Sequence, residues 1–134
     1  MEEIQKIALA IHGGAGPDSD FIKENKAAYI EGLRKAFMSG YSVLEKNGSA
    51  LDAVEEALRN LENDPLFNSG RGSALNNKGE VEMAAAIMDG KKLKAGAVSM
   101  VTNVKNPITL ARFVMENTNH VYAFRKWRVG VREK

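Results

Sequence analysis

Apolar positions along the chain follow a strand pattern first and a helix pattern next. The run KIALAIH, Lys6 to His12, is short, apolar and ends at glycines, which predicts a buried strand. From Asp20 to Asn47, apolar residues recur at three- and four-residue intervals, which predicts one amphipathic helix. Its predicted inner face consists of Ile30, Leu33, Phe37, Tyr41 and Leu44. Gly48 follows, where a glycine commonly ends a helix.

A second helix is predicted after Gly48, and a polar loop follows it. Ser49, with Asp52 three residues later, resembles a capping box, in which two side chains satisfy free amides at a helix start. The apolar stripe of this helix consists of Leu51, Val54, Leu58 and Leu61. Pro65 ends the helix, since proline disrupts helical hydrogen bonding. The loop runs from Asp64 to about Glu80.

The second half of the chain predicts a hairpin, a helix and a last strand. Val81–Gly90 and Lys94–Val104 are strand-like. Asp89 and Gly90, at the end of the first run, begin a turn between the two strands, which favours an antiparallel hairpin. Asn106 is placed as an N-cap, with Pro107 at the first helical position. Val121–Phe124 begins another strand. The order strand, helix, helix, strand, strand, helix predicts a layered α/β (α+β) architecture with helices packed on a sheet.

Composition limits the class of protein. The 134 residues suffice for about one domain, and 44% hydrophobic with 27% charged residues is typical of a globular chain. No run approaches the roughly 20 apolar residues that span a bilayer, so we expect no membrane association. The acidic start predicts no secretory signal peptide. The absence of cysteine excludes disulfides and zinc-thiolate sites and favours a cytoplasmic location.

Positive charge is concentrated at the end of the chain. The last ten residues, 125–134, carry five basic residues and one acid, whereas the preceding 124 carry a net charge of −2. The body of the chain therefore suggests no nucleic-acid partner. Three interpretations of the tail remain open. It could be a solvated basic terminus ordered by an oligomer contact, a strand in which Trp127, Val129 and Val131 alternate with polar residues, or an arm that binds nucleic acid.

Four groups of residues could carry chemistry. The stretch IHGGAG places glycines directly after a strand, which favours either a backbone-lined pocket floor or a tight turn. It does not fit the glycine motifs that bind phosphate. His12 and His120 lack a second histidine at metal-binding spacing and are interpreted as structural. The serines lack a GxSxG elbow, which excludes serine hydrolysis by this motif.

The loop LENDPLFNSGRGS, residues 61–73, is the fourth group. Glycines allow such a loop to fold back and point several carbonyl oxygens inward, as a hard monovalent or calcium-like cation requires. The alternative is an ordinary surface loop.

Taken together, these stretches resemble a known family. The segments are IHGGAG, SALDAVEEALRNLENDPLFNSGRGS, MDG, AGAV, NPITLARFVME and TNHV, in this order, and they are spread over residues 7–121. They are similar to the plant-type L-asparaginases, or isoaspartyl peptidases, of the N-terminal-nucleophile hydrolases. The resemblance implies the α half of an αββα sandwich, incomplete without a β subunit. It implies a precursor that cleaves itself before a threonine, whose hydroxyl then hydrolyses L-asparagine or β-aspartyl dipeptides to aspartate.

The resemblance also implies roles for individual residues. In the family, loop carbonyls hold a structural sodium ion, and the matching residues here are Leu61, Glu62, Asp64, Phe67, Ser69 and Arg71. Asn68 matches an asparagine that points toward the active site. Gly13 and Gly14 match a glycine strip near the scissile bond. No organic cofactor is implied.

The chain departs from the family in its nucleophile and in its tail. Thr102, Thr109 and Thr118 all lie outside the Thr-(Val/Ile)-Gly-Ala-Val context, so no catalytic residue is expected in this chain and it is predicted to be inactive alone. The expected partner is a β subunit that carries the threonine, or a second copy through self-association. The alternative is a non-catalytic truncated fragment, serving as an oligomerising scaffold or binding module.

The resemblance divides the chain into residues 1–121, which are α-subunit-like, and residues 122–134, a divergent basic tail. Codons permitted for this tail, read one nucleotide out of frame, encode MLSGNGAWEFAR, which fits the family's usual continuation. We therefore hypothesise a frameshift at this point. Sequencing the gene across it tests the idea, and the absence of any β-like reading downstream would refute it.

Overall fold

The computed structural model describes residues 7–16 and 19–124, which fold as a mixed α/β unit. A single 3-10 turn, Gly70–Gly72, lies in the loop after the third helix. The helices and strands, in chain order, are α1 Asp20–Glu24, α2 Lys26–Glu45, α3 Ala50–Asn63, β1 Met83–Asp89, β2 Lys94–Val101, α4 Pro107–Asn117 and β3 Tyr122–Phe124. The alternating strand tail proposed at Trp127–Val131 lies outside the described residues.

The sheet has three strands in the order β1-β2-β3. β1 and β2 pair antiparallel, with Ala86 opposite Ala97, so the predicted hairpin is confirmed. β3 pairs parallel with β2, with Tyr122 opposite Ala97. α4 forms the crossover that two neighbouring parallel strands require. The first residues of the divergent tail thus form the last strand of this sheet.

One face of the sheet packs against α4 and forms the main core. The sheet contributes Met83, Ile87, Val98, Val101 and Ala123, and the helix contributes Ile108, Ala111, Val114 and Met115. Gly96 lets α4 lie close to β2, since a Cβ on this glycine would be 2.2 Å from the carbonyl oxygen of Ala111. No helix or second sheet from residues 7–16 or 19–124 covers the opposite face, so the two-sheet sandwich is not completed by these residues.

The inner face of α2 differs from the predicted one. Its buried residues are Gly32, Ala36 and Gly40, whereas Ile30 is 56% exposed. The reason is close helix packing: a Cβ on Gly40 would lie 2.7 Å from the carbonyl oxygen of Ala53 in α3. Small residues allow two helices to pack closely, so the contact face of α2 is made of glycine and alanine. A pattern based on large apolar side chains predicts the neighbouring face of the helix instead. Leu33, Phe37, Tyr41 and Leu44 are half-buried at its margin.

The single helix predicted from Asp20 to Asn47 is two helices. Asn25 separates them, and its side-chain amide donates to the carbonyl oxygen of Phe21 at 2.8 Å. At the C-terminal end of α2, Asn47 has the left-handed conformation, with φ 61°, whereas the sequence predicted a glycine, Gly48, at the helix end. The Gly48 amide donates to the carbonyl oxygen of Val43 at 2.8 Å and closes the helix end.

The strand predicted at Lys6–His12 is wrong over its described part, residues 7–12, which pair with no strand. Ile7, Leu9 and Ile11 are half-buried, while Ala8 and Ala10 between them are exposed. The segment therefore keeps the alternation of a strand, and Ile11 packs against the cluster around Phe67. A strand also needs a neighbour for its backbone hydrogen bonds, and the described part of the chain supplies none.

Candidate functional site

The loop after α3 is held in shape by its own hydrogen bonds. The Asp64 side chain accepts from the Leu66 amide at 3.0 Å, and its carbonyl oxygen accepts from the Phe67 amide at 3.3 Å. The Ser69 amide donates to the carbonyl oxygen of Phe67 at 2.7 Å. This bonding makes the segment a compact turn rather than an extended surface loop.

Two glycines in this loop lie against backbone carbonyls and leave no room for a side chain. Gly70 has φ 59°, and a Cβ there would lie 2.3 Å from the carbonyl oxygen of Glu62. A Cβ on Gly72 would lie 2.2 Å from the carbonyl oxygen of Phe67 and 2.5 Å from that of Pro65. Two of the six carbonyls in the sodium hypothesis, those of Glu62 and Phe67, therefore lie directly beside a glycine.

Hard oxygen donors of this kind suit a monovalent cation, because carbonyl oxygens carry partial negative charge without the repulsion of carboxylates. Among residues 7–16 and 19–124, no group of three or more histidine, cysteine or acidic side chains is placed to hold a metal.

The ring of Phe67 joins the loop to the glycine strip. Phe67 is 4% exposed and meets the Tyr29 ring edge to face, with centroids 5.6 Å apart. A Cβ on Gly13 would lie 3.1 Å from Phe67 Cε1 and 3.0 Å from Leu33 Cδ2. Gly13 thus rests on the residue that precedes Asn68. The structure brings together two segments that lie about 55 residues apart in the sequence.

Asn68, the next residue after Phe67, carries an exposed side-chain amide. Its side-chain oxygen accepts from the Ala74 amide at 2.8 Å, and the residue is exposed. That bond uses the oxygen and leaves the NH2 group available as a donor. Gly14 is exposed with φ 124°, and its amide donates to Nδ1 of His12 at 3.2 Å. His12 accordingly supports the glycine strip, in line with its structural interpretation.

Glu62 has a role that the sequence did not reveal. Its side chain is 4% exposed, and Oε1 accepts from the Ile108 amide at 2.9 Å. Oε2 accepts from the Asn106 side-chain amide at 3.1 Å. Burial raises the pKa of Glu62, and these two hydrogen bonds partly oppose the shift. Asn106 occupies the N-cap position but makes no side-chain bond to its own helix, so Glu62 from α3 caps α4.

Arg112 ties α4 to the start of α3. Its guanidinium contacts Asp52 at 2.7 Å, Glu55 at 2.8 Å and Glu116 at 2.9 Å. Asp52 also completes the predicted capping box with Ser49, which is confirmed. The Ser49 hydroxyl and then Arg112 lower the pKa of Asp52 below its usual 3.8. The two helices that flank the candidate site are thereby held together.

We expect Asp52→Asn to lower the free energy of unfolding by about 1 kcal/mol at neutral pH, since it weakens a helix cap and an ion pair. The folded-state pKa of Asp52 is depressed, so its contribution is complete above the unfolded value of 3.8 and is lost as pH falls through the folded value. Urea unfolding at several pH values measures this. The free energies of unfolding of the variant and the parent should become equal in acid. Asp20→Asn, at an exposed first-turn acid, is the control, and an equal effect there would contradict the assignment.

The face of the sheet opposite α4 is apolar and accessible. Tyr122 and Phe124 stack with centroids 6.2 Å apart and are 54% and 61% exposed. The Ser99 hydroxyl hydrogen-bonds to that of Tyr122. On the other side of β2, β1 exposes Ala84, Ala86 and Met88. A continuous apolar face of this kind typically marks an interaction surface.

Comparison with known proteins gives a consistent result. The family model described as asparaginase matches residues 5–126. An isoaspartyl peptidase/L-asparaginase of Xenopus laevis is 52% identical over 116 residues, covering 87% of this chain and 37% of that protein. A plant-type L-asparaginase of Pyrococcus furiosus is 55% identical over 115 residues, covering 86% and 37%. The human isoaspartyl peptidase/L-asparaginase is 54% identical over 115 residues, covering 85% and 36%.

The chain therefore spans little more than a third of the length of these curated relatives. In the described part of the chain, none of the helices is both long enough and apolar enough to cross a bilayer.

Proposed function

The chain belongs to the asparaginase family, and from this premise we propose that it forms one wall of an active site that hydrolyses L-asparagine or β-aspartyl dipeptides. The packing of Gly13 on Phe67, directly beside Asn68, carries the proposal. We infer that the exposed Asn68 side-chain amide and the exposed backbone of Gly13 and Gly14 lie at one surface. Both are hydrogen-bonding groups suited to an amide substrate.

The reacting hydroxyl is proposed to come from a threonine outside these 134 residues. Its α-amino group takes the hydroxyl proton, and the oxygen attacks the side-chain amide or β-peptide carbonyl carbon. The carbon–nitrogen bond breaks, ammonia or an amine leaves with a proton, and an acyl-enzyme remains. Water then hydrolyses the ester and releases aspartate. This chain contributes orientation: the Ala74 amide holds the Asn68 oxygen, so the Asn68 NH2 group is directed to donate.

Asn68→Asp tests this role, because aspartate keeps an acceptor for the Ala74 amide but loses the donor. With a partner chain that supplies the threonine, we expect kcat/KM to fall about a hundredfold, the cost of removing one positioned donor. Thermal stability should change little. Asn77→Asp, on the exposed part of the loop, is the matched control. Equal activity of the Asn68→Asp variant and the parent would contradict a role for Asn68 in the site.

The loop is proposed to hold a structural sodium ion through the carbonyls of Leu61, Glu62, Asp64, Phe67, Ser69 and Arg71. The closeness of the Glu62 and Phe67 carbonyls to Gly70 and Gly72 supports this, as does the internal hydrogen bonding of the loop. A bound cation would stabilise carbonyl groups directed toward it and hold the loop that carries Asn68. It takes no part in the chemical steps.

Sodium should stabilise the chain more than a large cation does. At a sodium concentration about 100 times its dissociation constant, binding adds about 2.7 kcal/mol to the free energy of unfolding. Thermal unfolding in sodium chloride and in choline chloride at equal ionic strength measures the difference. Gly70→Ala, which places a methyl group against the Glu62 carbonyl, should abolish it. Identical melting in both salts would contradict the cation site.

The uncovered sheet face is proposed to bind the portion that carries the threonine, or a second copy of this chain. Tyr122 and Phe124 offer stacked aromatic rings on β3, and Ala84, Ala86 and Met88 offer apolar side chains on β1, with β2 between the two groups. Apolar burial contributes roughly 25 cal/mol per Å², so covering such a face is a substantial term against a net stability of about 5–15 kcal/mol. Association with another copy but no turnover with a threonine-bearing partner would favour the alternative of an oligomerising scaffold.

A further inference from the structure

A cleft lies beside the loop that follows α3. It opens between the end of α3, the 3-10 turn, the start of β1 and the connection from β2 to α4, and its volume is about 630 Å³. This volume is in the range of small-molecule sites. Val81, Met83 and Val104 give it an apolar floor.

Two cationic side chains flank this cleft, Arg71 from the 3-10 turn and Lys105 from the β2–α4 connection. In residues 7–16 and 19–124, neither one forms an ion pair. The other arginines of these ranges, Arg34, Arg59 and Arg112, each pair with at least one carboxylate. Arg71 therefore stands out as the arginine without an acidic partner in the described part of the chain.

The acid in the cleft wall does not compensate these charges. Glu62 is 4% exposed, and its two oxygens already accept from the Ile108 amide and the Asn106 side chain. Asn103, also in the wall, is exposed and adds a side-chain amide. The polar groups that the cleft offers to a ligand are therefore mainly donors, and its available charge is positive.

We propose that this cleft binds a small dicarboxylate, with one carboxylate paired to Arg71, the other to Lys105, and the hydrocarbon between them on Val81, Met83 and Val104. The guanidinium fork matches a carboxylate in two parallel hydrogen bonds, and the lysine supplies a point charge. The cations come from separate elements, and Val81, Met83 and Val104 line the same cleft, a combination that suits two charges joined by hydrocarbon better than one phosphate. The proposal concerns a site distinct from the Asn68 wall and does not depend on the amide-hydrolysing role.

The test is a titration of the isotopically labelled 134-residue chain with glutarate, followed by amide NMR in about 150 mM salt, where non-specific pairing is screened. We expect saturable shifts of the Gly70 and Asn103 amides. Arg71→Gln and Lys105→Gln should each weaken binding about tenfold, the loss of one charge-assisted contact. Lys78→Gln, an exposed lysine outside the cleft, should bind as the parent does.

Glutaramide and butyrate separate the contributions of the ligand, since the first lacks both charges and the second lacks one. Both should bind at least tenfold more weakly than glutarate, as should inorganic phosphate. Absence of saturable shifts, equal binding by the Arg71→Gln variant, or phosphate binding as tight as glutarate would each overturn the proposal. Both substitutions are at exposed side chains and leave the backbone carbonyl of Arg71 intact, so loss of binding in a folded variant is interpretable.

Discussion

Gly96→Ala is expected to lower the free energy of unfolding by about 3 kcal/mol, at the upper end of overpacking costs. The added Cβ would lie 2.2 Å from the Ala111 carbonyl oxygen and 2.7 Å from the Met115 amide nitrogen. These are backbone atoms of α4 that no rotamer change can move. The helix would have to shift away from β2 and open the core around Val98.

Urea unfolding of Gly96→Ala beside Gly90→Ala measures this cost. No atom of residues 7–16 or 19–124 outside its immediate chain neighbours would lie within 4 Å of a Cβ on Gly90, so its variant should remain within about 0.5 kcal/mol of the parent. If Gly96→Ala were equally harmless, α4 could not lie on β2 as described.

Glu62→Ala is expected to cost a similar amount, about 3 kcal/mol, because it leaves the buried Ile108 amide without an acceptor and opens a cavity. Glu62→Gln keeps an oxygen for that amide and should lose much less. Circular dichroism during urea unfolding distinguishes the two. Equal losses in both variants would show that the hydrogen bond to Ile108 is not what stabilises this position.

The pH dependence provides a second readout for Glu62. Its folded-state pKa is raised above 4.5, so its favourable contribution is complete below that unfolded value and is lost as pH rises through the folded value. This is opposite in sign to Asp52. The Gln variant should therefore lack a gain in stability that the parent shows on mild acidification.

Local signals in the sequence predicted local structure well. Ser49 and Asp52 define the start of α3, Pro107 lies at the start of α4, and the Asp89–Gly90 pair lies at the turn of the hairpin. Each depends on contacts within a few residues. The inner face of α2 was missed because Gly32, Ala36 and Gly40 matter through the approach of another helix, which a count of apolar residues does not register.

Long-range contacts explain the other differences. Glu62 caps a helix that begins 45 residues later, and nothing in its neighbours marks it as buried. Residues 7–12 have the alternation of a strand, but strand formation depends on a pairing partner elsewhere. The family resemblance identified Gly13, Gly14 and Asn68 as candidate site residues. In the structure, Gly13 packs against the ring of Phe67, the residue before Asn68. The Arg71 and Lys105 cleft could not be read from sequence, since its walls come from four separate segments.

We infer that these residues supply one wall of the site and that another segment supplies the nucleophile. The direct measurement is release of ammonia and aspartate from L-asparagine and a β-aspartyl dipeptide, by the purified 134-residue chain alone and with a chain that begins at a Thr-Val-Gly-Ala-Val threonine. We expect no turnover above buffer for the chain alone and turnover for the mixture. Turnover by the chain alone would contradict this inference.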